Sequence, residues 1–149
     1  MKPLEKNICL IAGRANPSLS KAVAAEMDLR LWPCKLETFP DDEIHVRVQE
    51  GVANKDIYLI QSLSPPVSPY LLELLLIADA CRRSGARRIT GMIPYLGYAR
   101  QERREKEGEP VSARVVADLL AAKLDRIICV DLHNAAVEGF FSVPVIHLT

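Results

Sequence analysis

"RITGMIPYLGYARQERREKEGEPVSARVVADLLAAKLDRIICVD", residues 88 to 131, decides the fold, because it holds a strand, a long polar loop, a helix and a second strand in that order. Arg88 to Pro94 and Arg126 to Val130 are short apolar runs, the composition of strands buried on both faces. Between them Ser112 stands as the N-cap of a helix running to Lys123. Two such strands joined by one helix predict a parallel pair with a right-handed crossover.

The same alternation extends in both directions. Ile8 to Ala12 is a β-rich run closed by Gly13, and Ser18 to Met27 follows as a helix with one apolar face. Asp56 to Gln61 is an apolar strand. After it comes the proline-rich stretch SLSPPVSP, then a helix from Tyr70 to Ser84 that ends at Gly85. That helix is apolar nearly all round, which fits core burial and, beyond one stripe, a subunit contact. Ser142 to His147 begins one more strand.

Glu37 to Phe39 and Ile44 to Val48 flank the polar turn Pro40-Asp41-Asp42-Glu43. Ile44, Val46 and Val48 alternate with His45, Arg47 and Gln49, the period of a half-exposed strand. The expectation is a single α/β domain over residues 1–149. It has a parallel sheet covered by helices on both faces and a small β excursion near residues 36–49.

A chain of 149 residues is long enough to bury a core without staples. Nineteen basic and nineteen acidic residues cancel, so no global field draws the protein to nucleic acid or an anionic membrane, and any anion site is local. Cys9, Cys34, Cys81 and Cys129 are widely spaced without a CxxC pair, as expected of reduced, buried thiols rather than a disulfide or zinc framework. The N-terminal apolar run is too short for a signal peptide and no apolar stretch is long enough to span a bilayer, so the cytoplasm is the expected compartment.

In an open α/β sheet, ligands sit beyond the carboxyl ends of the strands. The loop Tyr95 to Pro110 leaves one such end and Asp131-Leu132-His133 leaves the next, so both polar segments should open on one edge. Arg100, Arg103 and Arg104 offer planar donor forks suited to phosphate, and Gln101 an amide that both donates and accepts. By itself ERREKEGE reads as a solvated face; Gly108 and Pro110 make it a loop longer than a connection needs, as in lids and binding loops. His133 alone reads as a strand-end histidine bonded to backbone. Asp131, two residues before it, could share with it a divalent cation or the cation's water shell.

RRITGMIPYLGYARQERR and DLHNAAVEGFFSVPVIHL, with FPDDEIHVRV and LLELLLIADACRRSGARRIT, resemble ribose-phosphate pyrophosphokinase, the phosphoribosyl pyrophosphate synthetase family. The resemblance runs from about Ile8 to the last residue. It implies a phosphoribosyltransferase-like fold, with this chain the N-terminal of two such domains. It also implies a reaction in which magnesium-ATP donates its β,γ-diphosphoryl group to ribose 5-phosphate, giving phosphoribosyl pyrophosphate and AMP. On the matching motifs, Arg100 and Gln101 would hold ATP, Glu105 would be an acidic nucleotide contact, and His133 with Asp131 would lie at the Mg2+-triphosphate. Phe39, Asp41 and Glu43 match the segment that binds adenine from a neighbouring subunit, which implies a homo-oligomer.

Three departures stand out. Asp42 replaces the glycine of the family's FxDGE, Gly108 stands at an often basic position, and Ser68-Pro69 stands where Asn-Asp is usual. No acidic DDxxDTxGT-like loop for the ribose 5-phosphate occurs in the 149 residues. The isolated chain is therefore expected to be inactive, and its end just after an apolar strand start reads as that of a fragment. A non-catalytic regulatory homologue that binds active synthetase subunits is the alternative. An unrelated flavodoxin-like module is disfavoured, because no glycine-rich phosphate loop follows the first strand.

Overall fold

The computed structural model describes residues 7–148, and at Asp131 the backbone without the side chain. Seven strands and three α-helices follow one another as β1 (Ile8–Ala12), α1 (Pro17–Met27), β2 (Cys34–Thr38), β3 (Ile44–Val48), β4 (Asp56–Ile60), α2 (Val67–Arg83), β5 (Arg88–Tyr95), α3 (Ser112–Lys123), β6 (Arg126–Asp131) and β7 (Val145–His147). A 3-10 helix, Ala135–Phe140, precedes β7. Strands β1-β4-β5-β6-β7 form one parallel sheet in that order, and β2 and β3 form a separate antiparallel hairpin. This is the parallel sheet with a small β excursion that the sequence predicts.

Alternate residues of the strands face opposite layers. Cys9, Ile11, Ile57, Leu59, Ile89, Ile93, Ile127 and Cys129 point into the main core with Leu74, Ile77 and Cys81 of α2 and Val116 and Leu120 of α3. Each fully buried Leu or Ile here contributes about 2 kcal/mol of transfer free energy. The second face carries a smaller cluster, Leu10, Ala24 and Ile60, where α1 lies on β1 and β4. Between these layers the chain rounds the outer edge of β1, where Leu31 bridges Leu10 and the Trp32 amide donates to the Leu10 carbonyl at 2.7 Å.

Coverage of both faces is not fully realised. Beyond α1 the second face stays open over Met92, Pro94, Ile128 and Val130, with Val130 52% exposed. Arg126 reaches across part of it, donating to Tyr58 Oη at 3.1 Å and Thr90 Oγ1 at 3.3 Å. The strand order also runs without a reversal, so both crossover helices, α2 and α3, lie on one side and the sheet has no switch-point crevice of its own.

Helix boundaries follow local chemistry. Asn16 caps α1, its Oδ1 accepting from the Leu19 amide at 3.1 Å, with Pro17 at the first helical position. Helix α2 begins at Val67, three residues before the predicted start, because Pro69 falls in the first turn, where no amide is needed. Ser112 is not a cap. Val111 takes that position without a side-chain bond, and the Ser112 hydroxyl instead donates to Gln101 Oε1 at 2.7 Å. Among the described residues no helix is long and apolar enough to cross a membrane.

All four cysteines are free. Burial pushes the thiols of Cys9, Cys34 and Cys129 up to about 11 and that of Cys81 up to about 12. The folded chain thus keeps protons that an unfolded thiol releases at 9.0. Their stabilising contribution is whole below that value and disappears as pH rises towards 11 to 12. Urea midpoints should accordingly fall between about pH 9 and about pH 11, a window in which a flat profile would contradict thiol burial.

Candidate functional site: a polar cleft beyond strands β5 and β6

Strands β5 and β6 are parallel neighbours, with Tyr95 opposite Asp131. The segments that leave them therefore emerge on one edge, as the sequence predicts. Residues 96–111 fold back over that edge and enclose a cleft of about 500 Å³ lined by Arg100, Gln101, Glu102, Arg103, Glu105, Glu109, Pro110 and His133. Arg100 and His133 also share a smaller recess with Tyr95, Leu96 and Ala99. Five of the residues singled out in the sequence, Arg100, Gln101, Arg103, Glu105 and His133, are brought together here. Arg104 does not line the cleft, and the Asp131 side chain lies outside what the structure describes.

The loop is internally ordered. Glu109 Oε2 accepts from the amides of Glu105 at 3.0 Å and Lys106 at 3.1 Å. Gly108 turns at φ +89°, in the left-handed region that favours glycine. At the far end the Ala113 amide donates to the Gln101 carbonyl at 3.1 Å, tying the loop to α3 together with the Ser112 bond.

The charges in the cleft limit what it can hold. Among the described residues its wall has two arginines, Arg100 and Arg103, against three glutamates, Glu102, Glu105 and Glu109. A bare polyphosphate would meet carboxylate repulsion here, whereas a polyphosphate that arrives with a divalent cation would not. Glu102 Oε2 is buried and has no hydrogen-bond partner in the described structure. A buried carboxylate oxygen in that state costs at least about 1 to 3 kcal/mol, so the site gains if a cation or donor enters. Among the described residues no three His, Cys, Asp or Glu side chains gather into a metal cage. The donor set suits magnesium held mainly by phosphates and waters. Sequence reading missed Glu102, since nothing in ERREKEGE marks which carboxylate turns inward.

Phe39, Asp41 and Glu43 lie elsewhere, at the β2–β3 turn, and none of them lines the cleft. Phe39 is 42% exposed, and its ring tilts against His45 with centroids 5.4 Å apart. Asp42 takes φ +68°, so the aspartate at the family's glycine position adopts the left-handed turn that glycine would allow, while Asp41 Oδ1 accepts from the Glu43 amide at 3.1 Å.

Beneath the hairpin lies a buried polar network that sequence reading also missed. Glu73 of α2 is 1% exposed and accepts from the Arg14 amide at 2.8 Å, from Arg14 Nε and from Gln61 Nε2 at 2.7 Å. Gln61 Oε1 accepts from the Ala15 amide at 3.0 Å, and Arg14 Nη2 continues to Thr38 Oγ1 of β2 at 3.1 Å. A β-carbon at Gly13 would collide with the Gln61 amide, so the glycine that closes β1 is a close-approach position.

Residues 8–123 match the family model described as the N-terminal domain of ribose phosphate pyrophosphokinase. The chain is 44% identical over 148 residues to the ribose-phosphate pyrophosphokinase of Corynebacterium glutamicum, covering 99% of this chain and 46% of that protein. It is 48% identical over 146 residues to the enzyme of the same name from Cereibacter sphaeroides, covering 93% and 44%. A crystal structure of phosphoribosylpyrophosphate synthetase from Mycobacterium smegmatis superposes with a TM-score of 0.93 at 43% identity, over 95% of this chain and 48% of that one. The chain spans about half the length of the curated relatives it matches.

Proposed function

Since the chain belongs to the ribose-phosphate pyrophosphokinase family and carries its N-terminal domain, we propose that it supplies the Mg-ATP side of diphosphoryl transfer to ribose 5-phosphate. The products are phosphoribosyl pyrophosphate and AMP. The ribose 5-phosphate side belongs to the part of the family's length that these residues do not span, and the 149 residues alone are inactive. The observation that carries this reading is the convergence of Arg100, Gln101, Glu105 and His133 on one cleft at the carboxyl ends of β5 and β6.

In the proposed complex, Arg100 donates to the triphosphate and holds charge that grows on its oxygens as the bond between the α and β phosphates breaks. Gln101, fixed by Ser112, orients the nucleotide, and Glu105 receives donors from it. Magnesium, held by His133 and by Asp131 two residues before it, would neutralise the phosphate oxygens when bound. The loop over the cleft excludes water, which matters because the protein here acts by positioning rather than by covalent chemistry. Phe39, Asp41 and Glu43, exposed on the hairpin turn and outside the cleft, serve the adenine of a neighbouring copy, so the working form is a homo-oligomer.

Calorimetric titration of the chain with ATP, with and without magnesium, tests the reading. Three cleft carboxylates predict that removing magnesium with EDTA weakens ATP binding by about tenfold or more. His133→Ala should reduce that magnesium dependence. Equal affinity in both conditions, or no uptake in either, would count against it.

A further inference from the structure

The turn that launches the cleft loop is strained and anchored at the same time. Tyr98 has φ +66°, a region that side chains with a β-carbon occupy only when their surroundings force it. Here the surroundings are on hand. Gly97 packs so closely against the β4–α2 connection that a β-carbon on it would lie 2.9 Å from the Leu63 carbonyl oxygen. The Tyr98 hydroxyl lies 2.7 Å from Ser68 Oγ, in the first turn of α2. Its carbonyl accepts from the Gln101 amide at 3.0 Å. Beyond Gln101 the chain is held again, by Ser112 and by the Ala113 amide. Arg100, exposed, is suspended between these two anchors.

We propose that Tyr98, tethered through its hydroxyl to Ser68, is a positioning residue for the polyphosphate cleft. Tyr98 and Ser68 are not among the cleft-lining residues, so their effect on a ligand must pass through the direction in which Arg100 leaves the turn. A guanidinium grips phosphate through a rigid fork, and a misplacement of an ångström or less wastes it. The proposal rests on the Mg-ATP reading above. It also gives the Ser68 departure a role, since that hydroxyl is the tether's other end.

The test is Mg-ATP titration of the unaltered chain, Tyr98→Phe, Ser68→Ala, the double variant and Ser68→Thr, alongside amide hydrogen exchange without nucleotide. Tyr98→Phe keeps the ring and the strained backbone and removes only the hydroxyl. Each single loss should weaken affinity about fivefold, and the double variant about fivefold as well, because one bond is lost in all three. Ser68→Thr keeps a hydroxyl and should bind like the unaltered chain. Exchange at the Gln101 amide should quicken in the three weakened variants, with melting temperatures little changed. Unaltered affinity in both single variants, or losses that multiply in the double variant, would overturn the positioning role alone. An unaltered chain that takes up no Mg-ATP would overturn it together with the nucleotide reading.

Discussion

Arg100→Ala should weaken Mg-ATP binding by roughly ten- to a hundredfold, the cost of losing a charge-assisted, forked contact to phosphate. The effect should be large because Arg100 stands where the main cleft and the smaller recess meet, with His133 the only other described residue that lines both of these voids. Its exposure makes the control clean. A side chain with no described ion pair on the protein surface should leave the melting temperature within experimental scatter. Arg100→Lys should recover part of the loss, since the charge returns without the planar fork. Calorimetry on the three proteins reads all of this, and equal affinities for the unaltered chain and Arg100→Ala would remove Arg100 from the site.

Glu73→Ala should cost about 3 kcal/mol of stability, a large loss for one polar side chain. The carboxylate is buried and accepts three hydrogen bonds from Arg14 and Gln61. Its removal strands the Arg14 amide, leaves Gln61 Nε2 with only a 3.3 Å bond to the Tyr70 carbonyl, and opens a void under the hairpin. Arg14 is partly exposed and can turn to water, which keeps the loss below that of a wholly buried pair. In a domain of this size the melting temperature should fall by about 9 °C. Glu73→Gln, which keeps the shape but turns a donor towards donors, should fall between the two. A melting temperature within about 1 °C of the unaltered chain's would mean that the network adds nothing net to stability.

Much of the fold could be read in advance because period and length sufficed. The residue-88 and residue-126 strands, the helix between them and the period-two hairpin each announce themselves in a local window, and crossover handedness supplies the rest. What escaped depends on contacts between distant segments. Ser112 has the composition of a cap, but Gln101, eleven residues earlier, claims its hydroxyl. Glu73 looks like one more charge in an apolar helix until Arg14, fifty-nine residues away, is brought beneath it. The open second face could not be foreseen either, because the apolar strands read the same whether a helix covers them or not.

The cleft residues were legible for a related reason. Arg100 and His133 follow strands whose adjacency is set by a single crossover, so their convergence is a matter of topology rather than of fine packing. Glu102 and Tyr98 were not, since an inward-turned carboxylate and a left-handed tyrosine arise from the loop's own path.

The most direct test of the central claim is a crystal structure of the chain with magnesium and an ATP analogue whose α and β phosphates are joined by a methylene bridge. The triphosphate should lie between the Arg100 guanidinium and the His133 imidazole, with magnesium on its oxygens and Glu102 facing a cation or a donor. A nucleotide bound elsewhere, with the cleft between these two residues empty, would contradict it.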